Sequence, residues 1–194
     1  MIKKGHSMKN NFLDQFYTID SESGDYIIDV ALQDYDDVFN TWDSSVYNIR
    51  DLDYSLKSFL EEFSYEIEPK HKIKLVFNMQ DEKKDPEMEE MIRNGVRNHF
   101  NYRYFLTTKY ASQNRKKSII YIVVSILFTI LSSYLHISEA SKLIEDLLLL
   151  NLTVGSWVFL WEAFYILFIQ RSDSRRKKRH YERIVNAAIE FRYH

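Results

Sequence analysis

Apolar residues follow two different patterns along this chain. In the first half they recur at short periods among charges, and in the second they gather in two nearly unbroken blocks. Tyr26, Ile28, Val30 and Leu32 alternate around Asp29, and Ile73, Leu75, Phe77 and Met79 alternate with Lys72, Lys74 and Asn78. A period of two puts one set of side chains on each face of an extended strand, so both stretches predict half-buried β-strands. Ile189, Phe191 and Tyr193 alternate with Glu190 and Arg192 and predict a third. Between the first two strands, Leu52, Leu56, Phe59, Leu60, Phe63 and Ile67 recur every three or four residues, the spacing of an amphipathic helix that Asp51 or Asp53 can cap. Asp85-Pro86 opens another, with Glu87, Glu89 and Glu90 at the positive end of its dipole and Met88, Met91, Ile92, Val96 and Phe100 at helical spacing. This helix is expected to run on, with or without a break near 112–114. A last helix is expected over 175–186, and an edge strand over 16–19 ahead of the turn at 21–25.

The two apolar blocks are of another kind. Residues 118–137 carry no formal charge, and 147–169 contain only Asn151 and Glu162 as strongly polar members. At roughly 1.5 Å per residue, a stretch of about 20 residues spans about 30 Å, the thickness of a bilayer's hydrocarbon core. A chain of 194 residues is too small to wrap two such helices on all sides, so both are expected to cross a membrane. Lys109, Arg115, Lys116 and Lys117 precede the first block; Arg171, Arg175, Arg176, Lys177, Lys178 and Arg179 follow the second. The connection 138–146 carries Lys142 with Glu139, Glu145 and Asp146. The positive-inside bias therefore puts both termini in the cytoplasm and the connection outside, in a cell (plasma or inner) membrane.

The fold expected is an α+β membrane protein, with a two-helix hairpin inserted into a small cytoplasmic α+β domain whose sheet has about three strands. Residues 1–117 form its cytoplasmic α+β part, 118–169 the hairpin, and 170–194 a basic helix and the strand that completes the sheet. Asp29, Lys72, Lys74, Glu190 and Arg192 are expected on the sheet's solvent face as complementary cross-strand pairs. Within the hairpin, Ser125, Thr129 and Ser132 share a face, as do Asn151, Gly155, Val158 and Glu162. Aligned at their midpoints, Ser125 lies level with Glu162, Thr129 with Gly155 and Ser132 with Asn151, small residues allowing close approach. Glu162 lies about 6 Å to the cytoplasmic side of the midpoint. A carboxylate there costs several kcal/mol. Two readings stand: an ion or proton relay or assembly contact, or a protonated acid donating to Ser125 or Tyr121.

Charge is segregated even though the net is only -2 and the mean hydropathy -0.38. Between residues 18 and 70, acids outnumber Arg50, Lys57 and Lys70 several-fold, while the bases collect beside the apolar blocks. Such segregation argues against a nucleic-acid binder. The basic clusters Arg115, Lys116, Lys117 and Arg175 to Arg179 are expected at the membrane surface, against the lipid bilayer. Absence of cysteine removes disulfides and thiolate chemistry. The basic start is followed by no apolar core of signal-peptide length.

Candidate chemistry is sparse. Asp34, Asp36, Asp37 and Asp43 could bind a divalent cation through oxygen ligands, but Val38 and the missing Gly and closing Glu exclude an EF-hand. The alternative is an Asx-rich turn anchored by Phe39 and Trp42. The histidines show no metal-ligand spacing, and no nucleophile elbow, P-loop or glycine-rich fingerprint occurs. No catalytic residue, cofactor or metal is therefore assigned. The stretches DYDDVFNTWD (34–43), RDLDYSL (50–56), GSWVFLWEA (155–163) and IEFRY (189–193) resemble an uncharacterised family of bacterial two-span membrane proteins. That resemblance implies topology and a bacterial source, with no activity to carry over. The reading expected is a non-enzymatic, membrane-anchored interaction protein presenting the acidic loop to a protein partner, with self-association of the hairpin. The alternatives are a channel or transporter subunit using Glu162, and a metal-dependent membrane enzyme built on the 34–43 loop.

Overall fold

The computed structural model describes residues 15–43, 51–80, 84–135 and 142–194, so Arg50, His136 and residues 138–141 of the expected outer connection lie outside the described residues. The elements are β1 (Tyr26–Leu32), a 3-10 turn (Tyr35–Val38), α1 (Tyr54–Glu66), β2 (Ile73–Met79), α2 (Pro86–Leu135), α3 (Lys142–Phe164), a π-helical stretch (Tyr165–Gln170), α4 (Arg171–Val185) and β3 (Ala188–Tyr193). They fall into two compact units, Met1–Tyr104 with Arg179–His194, and Phe105–Lys178. Residues 105–117 and 170–178 thus group with the apolar helices. α2 runs 50 residues without the break considered near 112–114.

In the first unit the sheet has the order β1-β2-β3. Both pairings are parallel, a direction the alternation of apolar residues leaves open. Parallel neighbours cannot be joined by a tight turn and need a crossover, which α1 supplies between β1 and β2. The register aligns Ile28 with Leu75 and Leu75 with Ile189, and Val30 with Phe77 and Phe77 with Phe191. Phe77 and Phe191 stack with ring centroids 5.3 Å apart. Against this face pack Leu56, Leu60 and Ile67, with Ile92, Val96 and Phe100 of α2 and Tyr181 and Ile184 of α4. Gly95 lets the layer close: a Cβ there would stand 3.0 Å from the buried Phe39 ring.

The other face carries the charges, as its alternation demands. Lys74 pairs with Glu190 at 2.6 Å and Asp20 at 2.9 Å, and Asn78 donates to Asp29 at 3.1 Å. The edge strand expected over 16–19 is reduced to one antiparallel bridge, Ile19 with Tyr26. The chain leaves that edge through a turn in which Asp20 accepts from Ser23 and Glu22, and Gly24 takes a positive φ of 74°.

The second unit contains the apolar helices. Among the described residues two helices are long and apolar enough to cross a membrane, and only 11% of each apolar window is buried. Most of their apolar side chains are therefore exposed in the chain taken by itself, unlike those of a buried core helix.

Candidate functional site

The acidic loop is built from its own carboxylates. Asp34 accepts from the Asp36 N–H at 3.0 Å, and Asp37 accepts from the N–H groups of Gln33 and Asp34, both at 3.0 Å. This reciprocal cap holds the 3-10 turn. Asp43 accepts from the Asp51 N–H at 2.9 Å. Three of the four candidate cation ligands thus hold backbone amides. Among the described residues no three His, Asp or Glu side chains gather as a metal site requires. Phe39 anchors the loop, buried to 1% exposure, whereas Trp42 corrects the expectation by standing 94% exposed. Asn40 turns the chain there by accepting from the Trp42 N–H at 3.0 Å.

Beside this loop lie the carboxyl ends of all three parallel strands, where α/β sheets commonly bind ligands. Here the space is filled by the chain's own side chains. Tyr193 donates to Glu89 at 2.6 Å, the Tyr35 and Tyr193 hydroxyls lie 2.8 Å apart, and Tyr35 accepts from the Asp85 N–H at 3.0 Å. Arg93 pairs with the other Glu89 oxygen at 2.7 Å and lies over the Phe191 ring. Burial pushes the Glu89 carboxyl up, but Tyr193 and Arg93 outweigh it and hold it below its ordinary value. Burial, then Glu89, raise Tyr193. The pattern reading found Glu89 only as a dipole partner and Tyr193 only as an inward strand residue, since nothing in sequence spacing joins positions 35, 89 and 193.

Two further groups escaped the sequence reading. Arg183 of α4 donates to the carbonyls of Ile67 (3.0 Å), Glu68 (2.9 Å) and His71 (3.3 Å), and to the Ser64 carbonyl and hydroxyl. The Ser64 and Ile67 carbonyls belong to the end of α1, which lacks intrahelical donors, so Arg183 closes that C-terminus and holds the segment after it. Asp51 joins Lys57 at 2.6 Å and His99 Nδ1 at 3.1 Å, and His99 Nε2 is buried without a hydrogen-bond partner among the described residues. Burial lowers His99 below its ordinary range against the opposing pull of Asp51.

In the second unit the helix contact differs from the midpoint alignment. Ser125 Oγ donates to the Ser156 carbonyl at 2.8 Å and lies 3.0 Å from the Ser156 hydroxyl, which is 2.7 Å from Thr129. Ser156 Oγ donates back to the Ser125 carbonyl at 2.9 Å. Ser132 stands 3.4 Å from Thr153, and Ser118 donates to the Ala163 carbonyl at 3.2 Å. The seam therefore repeats every seven residues through Ser118, Ser125 and Ser132, as two helices packed nearly antiparallel require. Gly155 faces Phe128, whose ring stands 3.0 Å from where a Cβ would be. Asn151 bonds its own helix at Leu147, and Glu162 and Val158 are exposed. The expected pairing of Glu162 with Ser125 is thus corrected. Small Ser156 and Ala163 permit the closest approach, and they turn the Asn151–Glu162 stripe aside. Glu162 also lies beside Ala163, level with Ser118, at the start of the first apolar run rather than inside it.

The basic residues divide in two. Arg115, Arg175 and Lys178 line a cleft of about 360 Å³ together with Arg171, whereas Lys116, Lys117, Arg176 and Lys177 are exposed outside its lining; Arg179 belongs to the other unit. No family model, curated protein or solved structure matches this chain.

Proposed function

We propose that the chain is a two-span membrane protein with both termini cytoplasmic, whose parallel-sheet unit is a non-enzymatic docking module for a protein partner. The observation that carries the docking role is Trp42, 94% exposed just beyond the turn that Asp34 and Asp37 cap. An exposed aromatic amid acidic residues has the composition of an interaction hot spot, and it favours a partner with a basic rim. The membrane placement is supported by the exposed apolar helices and by basic residues at the same end of both.

A metal-dependent activity gains no support from a loop whose carboxylates hold amides. A conduit through Glu162 lacks a path within one hairpin, because the Ser125, Thr129 and Ser156 contacts close its interior. Its outward position suits contact with a second copy instead. A photo-crosslinking residue at position 42, in the full chain in native membranes, tests the docking reading. The expected result is one discrete adduct that Asp36→Lys abolishes; no adduct, or adducts with the chain itself alone, would overturn it.

A further inference from the structure

The cleft in the second unit has a chemistry that topology alone does not explain. Thr108, Ser112 and Arg115 lie on one face of α2, at i, i+4 and i+7, and oppose Gln170, Ser174 and Lys178 at successive steps of four. Arg171 and Arg175 complete the wall, so four cations and several hydroxyls surround about 360 Å³ with no carboxylate among the lining residues. Among the described residues no acid pairs with Arg115, Arg171 or Arg175. Like charges that line one cleft favour an anion between them. Asn114 donates to the Gln170 carbonyl oxygen at 2.8 Å, which takes up that acceptor and leaves the Gln170 amide as a donor. The cleft therefore presents donors and positive charge.

Its position is equally specific. The π-helical stretch Tyr165–Gln170 forms part of the wall, and such wide turns in a helix frequently mark functional sites. Ile166 and Leu167 from that stretch, with Ala111, give the cleft one apolar side. The first apolar run begins three residues beyond Arg115 and the second ends two residues before Arg171, so the cleft opens where hydrocarbon meets water. We propose that this cleft binds a phosphate-bearing anion, with the guanidinium groups of Arg171 and Arg175 as its principal ligands. Guanidinium forks match phosphate oxygens in pairs, Ser112 and Ser174 add hydroxyl donors, and the apolar side accommodates a glycerol or acyl edge. Such an anion has two sources, an anionic lipid headgroup or a soluble phosphate compound. The lipid source, though not the anion site itself, rests on the membrane placement proposed above.

The test is native mass spectrometry and calorimetry of the full chain in a neutral detergent. The probes are dihexanoyl phosphatidic acid, its phosphatidylcholine counterpart and inorganic phosphate. Saturable binding of one phosphatidic acid per chain, with none of the choline lipid, is expected. Arg171→Gln/Arg175→Gln should weaken it by about tenfold or more, since both guanidinium forks lose their charged hydrogen bonds to the anion. Lys116→Gln/Lys177→Gln removes the same charge outside the cleft and should leave binding within about threefold, the scale of diffuse attraction. Phosphatidic acid binding much more tightly than phosphate assigns the lipid headgroup; equal affinities assign a soluble ligand in the same site. No saturable binding of either anion, or equal loss in both double variants, would overturn the proposal. Carbonate extraction of the same protein from membranes reads the membrane placement separately, so the two failures are distinguishable.

Discussion

Single residues decide how the first unit closes. Arg183 gathers carbonyls from α1 and the segment after it, and burial lowers its guanidinium from the ordinary arginine value. Arg183→Met is expected to cost about 2–4 kcal/mol, since it removes charged hydrogen bonds and leaves buried carbonyls without donors. Arg183→Lys should recover little, because an ammonium cannot reproduce the fork. Denaturant unfolding of the full chain in detergent, with hydrogen exchange over 60–68, would measure both. His99 makes the unit acid-sensitive. Its folded pKa is depressed below 6.5, so its contribution is fully present above that value and is lost as pH falls through the lowered folded value. Asp51, Lys57 and Arg103 act on the same ring. Unfolding free energy should therefore fall on acidification from pH 7 to 5, with a shallower slope in His99→Gln; equal slopes would contradict this.

The helices and strands themselves were largely written in the apolar periods. The alternations at Tyr26–Leu32 and 72–79 marked two strands, and the stripe from Leu52 to Ile67 marked the face that α1 buries. Pairing direction was not legible, because a half-buried strand alternates identically in parallel and antiparallel sheets. Nor was the helix seam. Ser125, Thr129 and Ser132 were recognisable as a polar stripe, but the opposing face depends on which small residues permit closest approach, and Ser156 and Ala163 prevailed over Asn151 and Glu162. The chain has no cysteine, which makes the register testable. Ser125→Cys/Ser156→Cys should cross-link on mild oxidation, since their hydroxyls stand 3.0 Å apart. Ser125→Cys/Glu162→Cys should not, because six residues displace position 162 by about 9 Å along the helix. A cross-link in the second pair instead would restore the midpoint alignment. Gly155→Leu should loosen the same contact by about 1–3 kcal/mol through the Phe128 ring, read as lower thermal stability in detergent.

At the scale of the whole molecule, everything depends on the apolar helices lying in a bilayer with the basic flanks and the parallel-sheet unit on its cytoplasmic side. The acidic loop with Trp42 then has a defined compartment in which to meet a partner, and the basic cleft has a defined depth. What the amino-acid order could not reveal at this scale are the contacts that join distant positions. Tyr35, Glu89 and Tyr193 meet only because three strands run parallel, and the cleft forms only where two basic helix faces oppose each other. The most direct measurement is cysteine labelling of the full chain in intact cells with a membrane-impermeant maleimide. The account predicts that Ser141→Cys labels from outside, while Ser23→Cys and Ser174→Cys label only after permeabilisation. Labelling of all three from the same side would contradict it.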